Sequence, residues 1–529
     1  MKRLPPTRPT VEAWLPILLL AALGSTLLAP PVAAAAADEA GVDWDAFRSG
    51  IETAMRQWEV PGLAVSVVSG DEVLFAEGFG TTSLGGDGAR AVDEHTLFAA
   101  GSTTKAIAAA ALGLLVDEGR IGWDTPVQEL MPELRFSDPE LTARLRVRDL
   151  LTHSAGVPNT DVLWYEQEHS LEEILRRMRF VPVDAHAVPR FTYQNVMYAA
   201  AGRLTEIVSG EAWPRFVEQR LFAPLGMSRS VATLAATEAM ANVAQPHHRV
   251  AGEVVRIENA SVDPVAAAGS VWSGVHDMSL WLRFLLRGCA TEEGEQLLQP
   301  ETCDELFEPQ VLIDREMYPV MRLYDHKWLT YGLGWFQADY RGRALDFHSG
   351  SIDGMVALAG LVHREDVGVY VLANLDHAEL RHSILLEALD RLDPRPEPSD
   401  ASQTRDWHRE VYELYRPEGE VEAATDESTA AAGDARPPRP LERYVGRYAD
   451  PIAGEMVVEQ RGEMLTLRWG RRECVLAPLD ADRFLCAWTK RWRGEMVLEF
   501  ETGRSGGVGA IDLGGTMLHR QVSDPAAEE

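Results

Sequence analysis

The stretch that decides the fold is GSTTKAIAAAALGLLVDEG, residues 101–119. Its apolar residues recur at helical spacing and Gly119 is a typical helix end, so we predict a helix over Ala106–Val116. Ser102 and Lys105 lie at the front of this helix. Residues three positions apart project from the same helical face. The serine hydroxyl and the lysine amine are therefore expected to lie within hydrogen-bond reach of each other.

A lysine that is buried at the start of a helix is expected to lose its proton easily. Burial and the positive end of the helix dipole both disfavour the ammonium form, which lowers the pKa of the amine. A neutral amine can accept the proton of Ser102, and arginine cannot replace it in that role. The sequence has lysine only at positions 2, 105, 327 and 490. The alternative for Lys105 is a solvated lysine on a helix start.

Two further motifs follow along the chain in order. Tyr193-Gln194-Asn195 precedes a predicted helix over Val196–Val208, and His348-Ser349-Gly350 lies in a strand-like region. With the Ser-x-x-Lys triplet, they resemble the serine β-lactamases and penicillin-binding proteins. The likeness is to the class C-like branch of penicillin-recognising serine peptidases and esterases, whose second and third motifs are Y-x-N and K/H-x-G. It covers about residues 44–385.

The resemblance implies roles for the catalytic residues. Ser102 is the expected nucleophile, and Lys105 and Tyr193 share the acid–base work that activates it. The backbone N–H groups of Ser102 and Ser351 are the expected oxyanion hole. The implied chemistry is acyl transfer through an acyl-enzyme, with no metal and no cofactor.

The resemblance also implies a substrate-binding side, formed by Asn195, His348, Gly350 and Ser351. The family usually carries lysine in the third motif, where this chain has His348. Histidine has an unperturbed pKa of about 6.5 and is mostly uncharged at neutral pH. We therefore expect weak selection for substrates that carry a carboxylate, poor β-lactam hydrolysis, and better activity on neutral or cationic esters and amides.

The expected fold class is α+β. The resemblance implies a β-lactamase/transpeptidase-like domain over residues 44–393, with an antiparallel sheet flanked by helices and an all-helical lobe. Residues 394–440 are rich in proline and acidic residues, which predicts a linker. Short alternating runs broken by glycine turns over residues 441–522 predict a small all-β, barrel-like domain. This domain resembles the lipocalin-like domain that is appended to some penicillin-recognising serine peptidases.

The all-β domain is expected to hold no catalytic group. It does contain Gly503-Arg504-Ser505-Gly506-Gly507, which satisfies the pattern G-x-S-x-G. The nucleophile elbow that this pattern describes needs a strand before the serine and a helix after it. A glycine-rich turn of an all-β unit offers neither, so we predict that Ser505 is a turn residue.

The first 37 residues are predicted to be a secretory signal peptide. A positively charged start is followed by an apolar stretch (14–28) and an alanine-rich run (33–37) before the predicted cleavage site. The alternative is a single membrane anchor. We expect export to the periplasm or the extracellular space, with no stable membrane insertion after signal removal. Export permits disulfides, but Cys289 with Cys303 and Cys474 with Cys486 are equally compatible with free thiols.

Charge excludes one class of partner. The chain has 81 acidic and 50 basic side chains and a formal net charge of −31. Such a chain repels phosphate backbones, so a nucleic-acid partner is not expected. Histidines such as His153 and the pair His247-His248 show no metal-ligand spacing of the type H-E-x-x-H, so no metal site is predicted. The oligomeric state is not predicted.

The sequence therefore predicts an exported serine hydrolase that takes a small-molecule or peptide substrate. It would cleave an amide or an ester, either a D-amino-acid peptide or amide or a small acyl ester, through an acyl-enzyme on Ser102. The alternative is a penicillin-binding or β-lactamase/carboxypeptidase-type protein that is acylated by peptidoglycan or β-lactams and turns over slowly. A catalytically idle scaffold is disfavoured because Ser102, Lys105 and Tyr193 are all present.

Overall fold

The computed structural model describes residues 42–86, 88–183, 190–324, 326–393, 395, 405–415, 437–502 and 507–521. The predicted signal peptide therefore lies outside the described residues. The helices are α1 (Trp44–Trp58), α2 (Thr104–Asp117), α3 (Val127–Leu130), α4 (Pro139–Arg144), α5 (Leu171–Arg177), α6 (Asn195–Ser209), α7 (Trp213–Val217), α8 (Leu234–Thr237), α9 (Ala266–Gly269), α10 (Val275–Leu286), α11 (Pro300–Phe307), α12 (Leu380–Arg391) and α13 (Trp407–Tyr415). Within this part of the chain, no helix is both long and apolar enough to cross a membrane.

An antiparallel sheet of eight strands forms the centre of the first domain. The strands of this domain are β1 (Gly62–Ser69), β2 (Glu72–Gly80), β3 (Phe98–Ala99), β4 (His247–Val250), β5 (Glu253–Arg256), β6 (Trp272–Ser273), β7 (Val311–Leu312), β8 (Leu329–Tyr331), β9 (Phe336–Tyr340), β10 (Arg343–Ile352), β11 (Met355–Val362) and β12 (Val367–Ala373). The order of strands in the sheet is β2-β1-β12-β11-β10-β9-β8-β7, and β3 forms a separate short antiparallel pair with β6.

Both faces of the sheet are buried. Successive side chains of a strand point to opposite faces, so Leu63 and Val65 of β1 pack in the core that contains α1 and α12. Ala64 and Val68 of the same strand belong to the core that contains α2 and α10. This explains why the central strands are apolar without alternation. The long helix α2 lies inside the second core, where its residues from Thr104 to Leu115 are all buried.

The second domain is a closed barrel whose eight strands follow one another in sequence order. The last strand pairs back with the first and closes it. The strands are β13 (Gly446–Asp450), β14 (Gly454–Arg461), β15 (Met464–Trp469), β16 (Arg472–Asp480), β17 (Arg483–Trp488), β18 (Glu495–Thr502), β19 (Val508–Asp512) and β20 (Met517–Arg520). The α+β fold class and the added all-β unit are thus confirmed. The pattern G-x-S-x-G falls largely outside the described residues.

Both cysteine pairs are disulfides. Cys289 is joined to Cys303, which ties the loop after α10 to α11. Cys474 is joined to Cys486, which links the neighbouring barrel strands β16 and β17. The sequence was equally compatible with disulfides and with free thiols, and the structure has one disulfide in each domain.

The predicted linker over residues 394–440 is wrong in part. Residues 407–415 form α13, and Trp407 and Val411 are buried in the same core as α1 and α12. The indole N–H of Trp407 also donates a hydrogen bond to Asp390 at 2.8 Å. The segment WHREVYELY places Trp407 and Val411 four residues apart, on one helical face. The acidic and alanine-rich part of the predicted linker, residues 416–436, follows this helix and lies outside the described residues.

Candidate active site

The turn that carries Ser102 is built around a glycine. Strand β3 leads into Gly101, whose φ is +54°, then into a 3₁₀ turn over Gly101–Thr103 and directly into α2. A Cβ atom on Gly101 would lie 2.8 Å from the backbone nitrogen of Ser351, which is too close for a side chain. Glycine is therefore needed here for its backbone conformation and for the close approach of β10.

Lys105 is fully buried and hydrogen-bonded to uncharged groups. Its Nζ atom lies 2.9 Å from Ser102 Oγ, 2.8 Å from Asn195 Oδ1 and 2.8 Å from the Ala268 carbonyl oxygen. Burial lowers the pKa of Lys105 to about 7, and the charge of Asp161 opposes this shift. A substantial fraction of the amine is therefore neutral at neutral pH and able to accept the proton of Ser102.

Tyr193 lies beside the same two groups. Its ring centroid is 4.8 Å from Lys105 Nζ, and its hydroxyl hydrogen-bonds to Ser102. Burial raises the pKa of Tyr193, and the hydrogen bond to Ser102 only partly opposes this shift. The phenol is thus protonated at neutral pH, and Lys105 is the better placed first acceptor of the serine proton.

Asn195 is held by a carboxylate that sequence reasoning missed. Its Nδ2 atom donates to Asp161 Oδ1 at 3.0 Å and Oδ2 at 3.2 Å, which leaves Oδ1 to accept from Lys105. Asp161 opens a short 3₁₀ turn, Asp161–Leu163, and also accepts from the Trp164 indole N–H at 2.8 Å. The carboxylate therefore orients the amide. No local pattern marks this role of Asp161, because Asn195 lies in a later helix.

The end of β10 lies against the turn that carries Ser102. The ladder between β10 and β9 ends at Phe347, so the residues that follow face the start of α2. A Cβ atom on Gly350 would lie 2.9 Å from the Ser102 nitrogen, which shows how closely the two backbones approach.

A buried arginine fixes the orientation of this peptide. Arg381 of α12 donates to the Gly350 carbonyl oxygen at 2.5 Å and to Ser351 Oγ at 3.2 Å. In a trans peptide, the carbonyl and the following N–H point in opposite directions. Because Arg381 binds the Gly350 carbonyl from one side, the Ser351 N–H points away from Arg381. Sequence reasoning did not identify Arg381.

His348 lies behind the site and not on the cleft wall. Its ring is 1% exposed, with Nε2 3.0 Å from the Tyr331 hydroxyl and Nδ1 2.7 Å from the Ser349 carbonyl oxygen. Burial lowers the pKa of His348 to about 3, helped by the charge of Lys105. The ring of His348 is therefore neutral at physiological pH. Its buried position does not place it in direct contact with a substrate.

A cleft that reaches Asn195 and Ser351 is lined by both domains. Its volume is about 500 Å³, and Asn195 and Ser351 form part of its floor. The barrel contributes Arg472, Trp488, Trp492 and Arg493. The Arg472 guanidinium lies 3.8 Å from the centre of the Trp469 ring, and burial lowers its pKa to about 10. The sequence did not predict that the second domain lines the cleft, because these contacts join residues far apart in the chain.

Among the described residues, no group of three or more His, Cys, Asp or Glu side chains could hold a metal ion. His153, which the sequence placed as structural, is buried with its ring centroid 4.4 Å from that of Tyr193. Its Nδ1 accepts from the Gln194 backbone N–H at 3.1 Å. It therefore supports the position of the Tyr193 segment.

The sequence profile described as Beta-lactamase matches residues 47–393. The chain belongs to the beta-lactamase family. The matched region of this beta-lactamase family member contains all seven residues that the sequence predicted for the site. A second profile, described as a domain of unknown function (DUF3471), matches residues 430–525 and so contains the barrel.

The chain is also similar to a named hydrolase and, in fold, to two solved structures. The Unguisins hydrolase ungD of Aspergillus violaceofuscus is 28% identical over 362 residues, which cover 64% of this chain and 62% of that protein. An octameric penicillin-binding protein homologue from Pyrococcus abyssi has a similar fold, with a TM-score of 0.58, 23% identity, and coverage of 90% of this chain and 98% of that one. A D-stereospecific amidohydrolase from Streptomyces sp. has a TM-score of 0.51 and 22% identity, and the match covers 63% of this chain and 95% of the amidohydrolase chain.

Proposed function

We propose that this beta-lactamase family member is an exported serine hydrolase that cleaves an amide or an ester through an acyl-enzyme on Ser102. The observation that carries the proposal is the 2.9 Å contact between Ser102 Oγ and the buried amine of Lys105. The other partners of that amine are uncharged, so nothing in direct contact holds the proton on it. The family match and the hydrolase relative support the same conclusion.

In the acylation step, Lys105 takes the proton from Ser102 Oγ while that oxygen attacks the carbonyl carbon of the substrate. The backbone N–H groups of Ser102 and Ser351 stabilise the oxyanion that forms. As the tetrahedral intermediate collapses, the bond to the leaving amine or alcohol breaks. The leaving group takes a proton from the Tyr193 hydroxyl, which Lys105 then replenishes.

Deacylation uses the same groups, with the proton transfers in the reverse direction. Water attacks the acyl carbonyl, gives up a proton to the Tyr193–Lys105 pair, and Ser102 leaves with a proton returned to its oxygen. The acid product is released and the starting protonation state is restored. The second candidate, a protein that is acylated by peptidoglycan or β-lactams and turns over slowly, uses the same first step and differs only in the rate of this second one.

The proposed substrates are a D-amino-acid peptide or amide, or a small acyl ester. The Aspergillus relative is named as a hydrolase, and the Streptomyces protein of similar fold is a D-stereospecific amidohydrolase. The cleft also fits a small or peptide-sized acyl group, since its volume of about 500 Å³ is within the usual range for ligand pockets, about 300–1,000 Å³.

Two measurements test the proposal. A serine-directed phosphonate should label Ser102 and no other residue, as located by peptide mass spectrometry, and Ser102→Ala should lose all labelling. A label on Ser505, or full activity in Ser102→Ala, would contradict the assignment. With an activated ester, steady turnover after the initial burst supports the hydrolase, whereas a burst of one equivalent without turnover supports the slowly deacylating alternative. Ser505→Ala serves as the matched control and should behave as the wild type.

A further inference from the structure

One side chain of the barrel bridges two segments of the first domain. Arg493 ends a short 3₁₀ turn over Arg491–Arg493, and its Nη2 atom lies 2.7 Å from Asp353 Oδ2 and 2.8 Å from Glu166 Oε1. Its other terminal nitrogen donates to the Tyr165 hydroxyl, and its guanidinium lies 4.8 Å from the centre of that ring. Arg493 therefore binds two carboxylates and one phenol at once.

The bridge is buried. The side chain of Arg493 is 7% exposed, and those of Glu166 and Asp353 are 10% and 16% exposed. Burial lowers the pKa of Arg493, but the charge of Asp353 and its other partners outweigh it and the net shift is upward. A permanent cation suits such surroundings. Its removal takes the ion-pair partner from Asp353 and leaves Glu166 with the longer ion pair to Lys490 at 3.3 Å.

Each bridged segment carries part of the catalytic machinery. Asp353 stands two residues after Ser351, whose N–H belongs to the proposed oxyanion hole. Tyr165 and Glu166 follow Asp161, the carboxylate that orients Asn195. The Tyr165 hydroxyl donates to Asp353 Oδ1 at 2.6 Å, so the two segments also meet directly.

We propose that Arg493 is a positioning residue: it holds the Asp161 segment and the Ser351 turn at the separation that the reaction needs. The inference rests on the proposed function, since it concerns the geometry of the Ser102 acylation step. Arg493 is not placed at the reacting atoms and takes no proton. It acts through Asp353 on the oxyanion side and through the Tyr165-Glu166 pair on the Asn195 side.

The barrel remains attached by other contacts when Arg493 is changed. The Arg471 backbone N–H donates to the Glu166 carbonyl oxygen at 2.8 Å, and Arg177 donates to the Pro451 carbonyl oxygen at 2.9 Å. Lys490 forms ion pairs with Glu166 at 3.3 Å and Glu258 at 3.2 Å. Lys490 thus supplies a matched control, because it is an interdomain cation that reaches Glu166 but is not paired with Asp353.

The test uses the full-length chain and an activated neutral ester, with the acylation rate constant measured from the burst and KM from steady state. Arg493→Met should slow acylation by about 10- to 100-fold, the usual cost of a misplacement of about 1 Å, with a smaller change in KM. Arg493→Lys keeps the charge and should recover to within about 10-fold of the wild type. Lys490→Met should acylate at the wild-type rate.

Wild-type acylation in Arg493→Met, or an equal loss in Lys490→Met, would overturn the proposal. If Arg493→Met does not fold, Asp353→Asn removes one arm of the bridge and keeps an amide able to bind Tyr165. Asp353→Asn should slow acylation by more than any drop in its melting temperature explains. An unchanged acylation rate would overturn the proposal. Failure of the proposed function looks different, because then the wild type itself is not acylated at Ser102.

Discussion

The start of α2 and the turn before β18 each bury a cation beside the same cleft, and their surroundings are opposite. The amine of Lys105 has uncharged partners: a hydroxyl, an amide oxygen and a backbone carbonyl. The guanidinium of Arg493 has two carboxylates and a phenol. The pKa is lowered to about 7 in the first case and raised in the second.

This difference distinguishes a residue that transfers a proton, Lys105, from a residue that positions other groups, Arg493. A group that must gain and lose a proton needs surroundings that tolerate both of its states, and uncharged partners in a buried site provide them. A group that must hold two segments together needs a charge that stays, and paired carboxylates keep it. Lysine at the first place and arginine at the second follow from these requirements.

The largest effect on the acylation rate is expected when Lys105 is replaced by a residue that always carries its positive charge. Lys105→Arg should slow acylation by about 10²- to 10⁴-fold, because guanidinium cannot accept the serine proton. Burst kinetics with an activated ester measure this rate. Lys490→Arg is the matched control and should retain the wild-type rate, since its ion pairs need only charge. Normal turnover in Lys105→Arg would remove the general base from the mechanism.

A smaller effect on the acylation rate is expected at the neighbouring phenol, Tyr193. Tyr193→Phe removes the hydrogen bond to Ser102 and the proposed proton donor for the leaving group. A hydrogen bond to a charged group is worth about 1.5–3 kcal/mol, so acylation should slow by about 10- to 150-fold. Tyr198→Phe is the control, because its ring also lies 5.3 Å from Lys105 Nζ while its hydroxyl donates to the Leu151 carbonyl. Equal losses in both variants would assign the effect to packing.

The smallest effect is expected at His348. The ring is neutral and its partners are neutral, so His348→Gln should cost about 1 kcal/mol, or about 5-fold in kcat/KM. The ratio of kcat/KM for a cephalosporin to that for a short acyl ester should not change. A selective loss for the cephalosporin would show instead that the ring contacts the substrate carboxylate.

Much of the fold was predictable from local patterns. The helices predicted over Ala106–Val116 and Val196–Val208 lie within α2 and α6 of the structure. Their apolar periodicity and turn residues are local properties of the chain. Ser102 and Lys105 were predictable for the same reason, because helical spacing alone brings them together.

The rest of the site depends on contacts between distant parts of the chain. Asp161 meets Asn195 and Arg381 meets Gly350 only in the folded structure, and Arg493 meets Asp353 only after two domains have docked. None of these residues has a neighbour in sequence that marks its role. The same limit explains α13, whose nine residues were included in a predicted linker on the composition of the segment around them.

The pH dependence of acylation tests the central claim most directly, that Lys105 acts as a neutral base while Arg493 stays charged. On a neutral ester, the logarithm of the rate constant should rise with a slope near one below pH 7 and level off above it, because the protonated amine cannot accept a proton. Arg493→Lys should be slower but share the same midpoint. A rate that is flat or falling between pH 5 and 8, or a midpoint near the ordinary lysine value of about 10.4, would contradict the account.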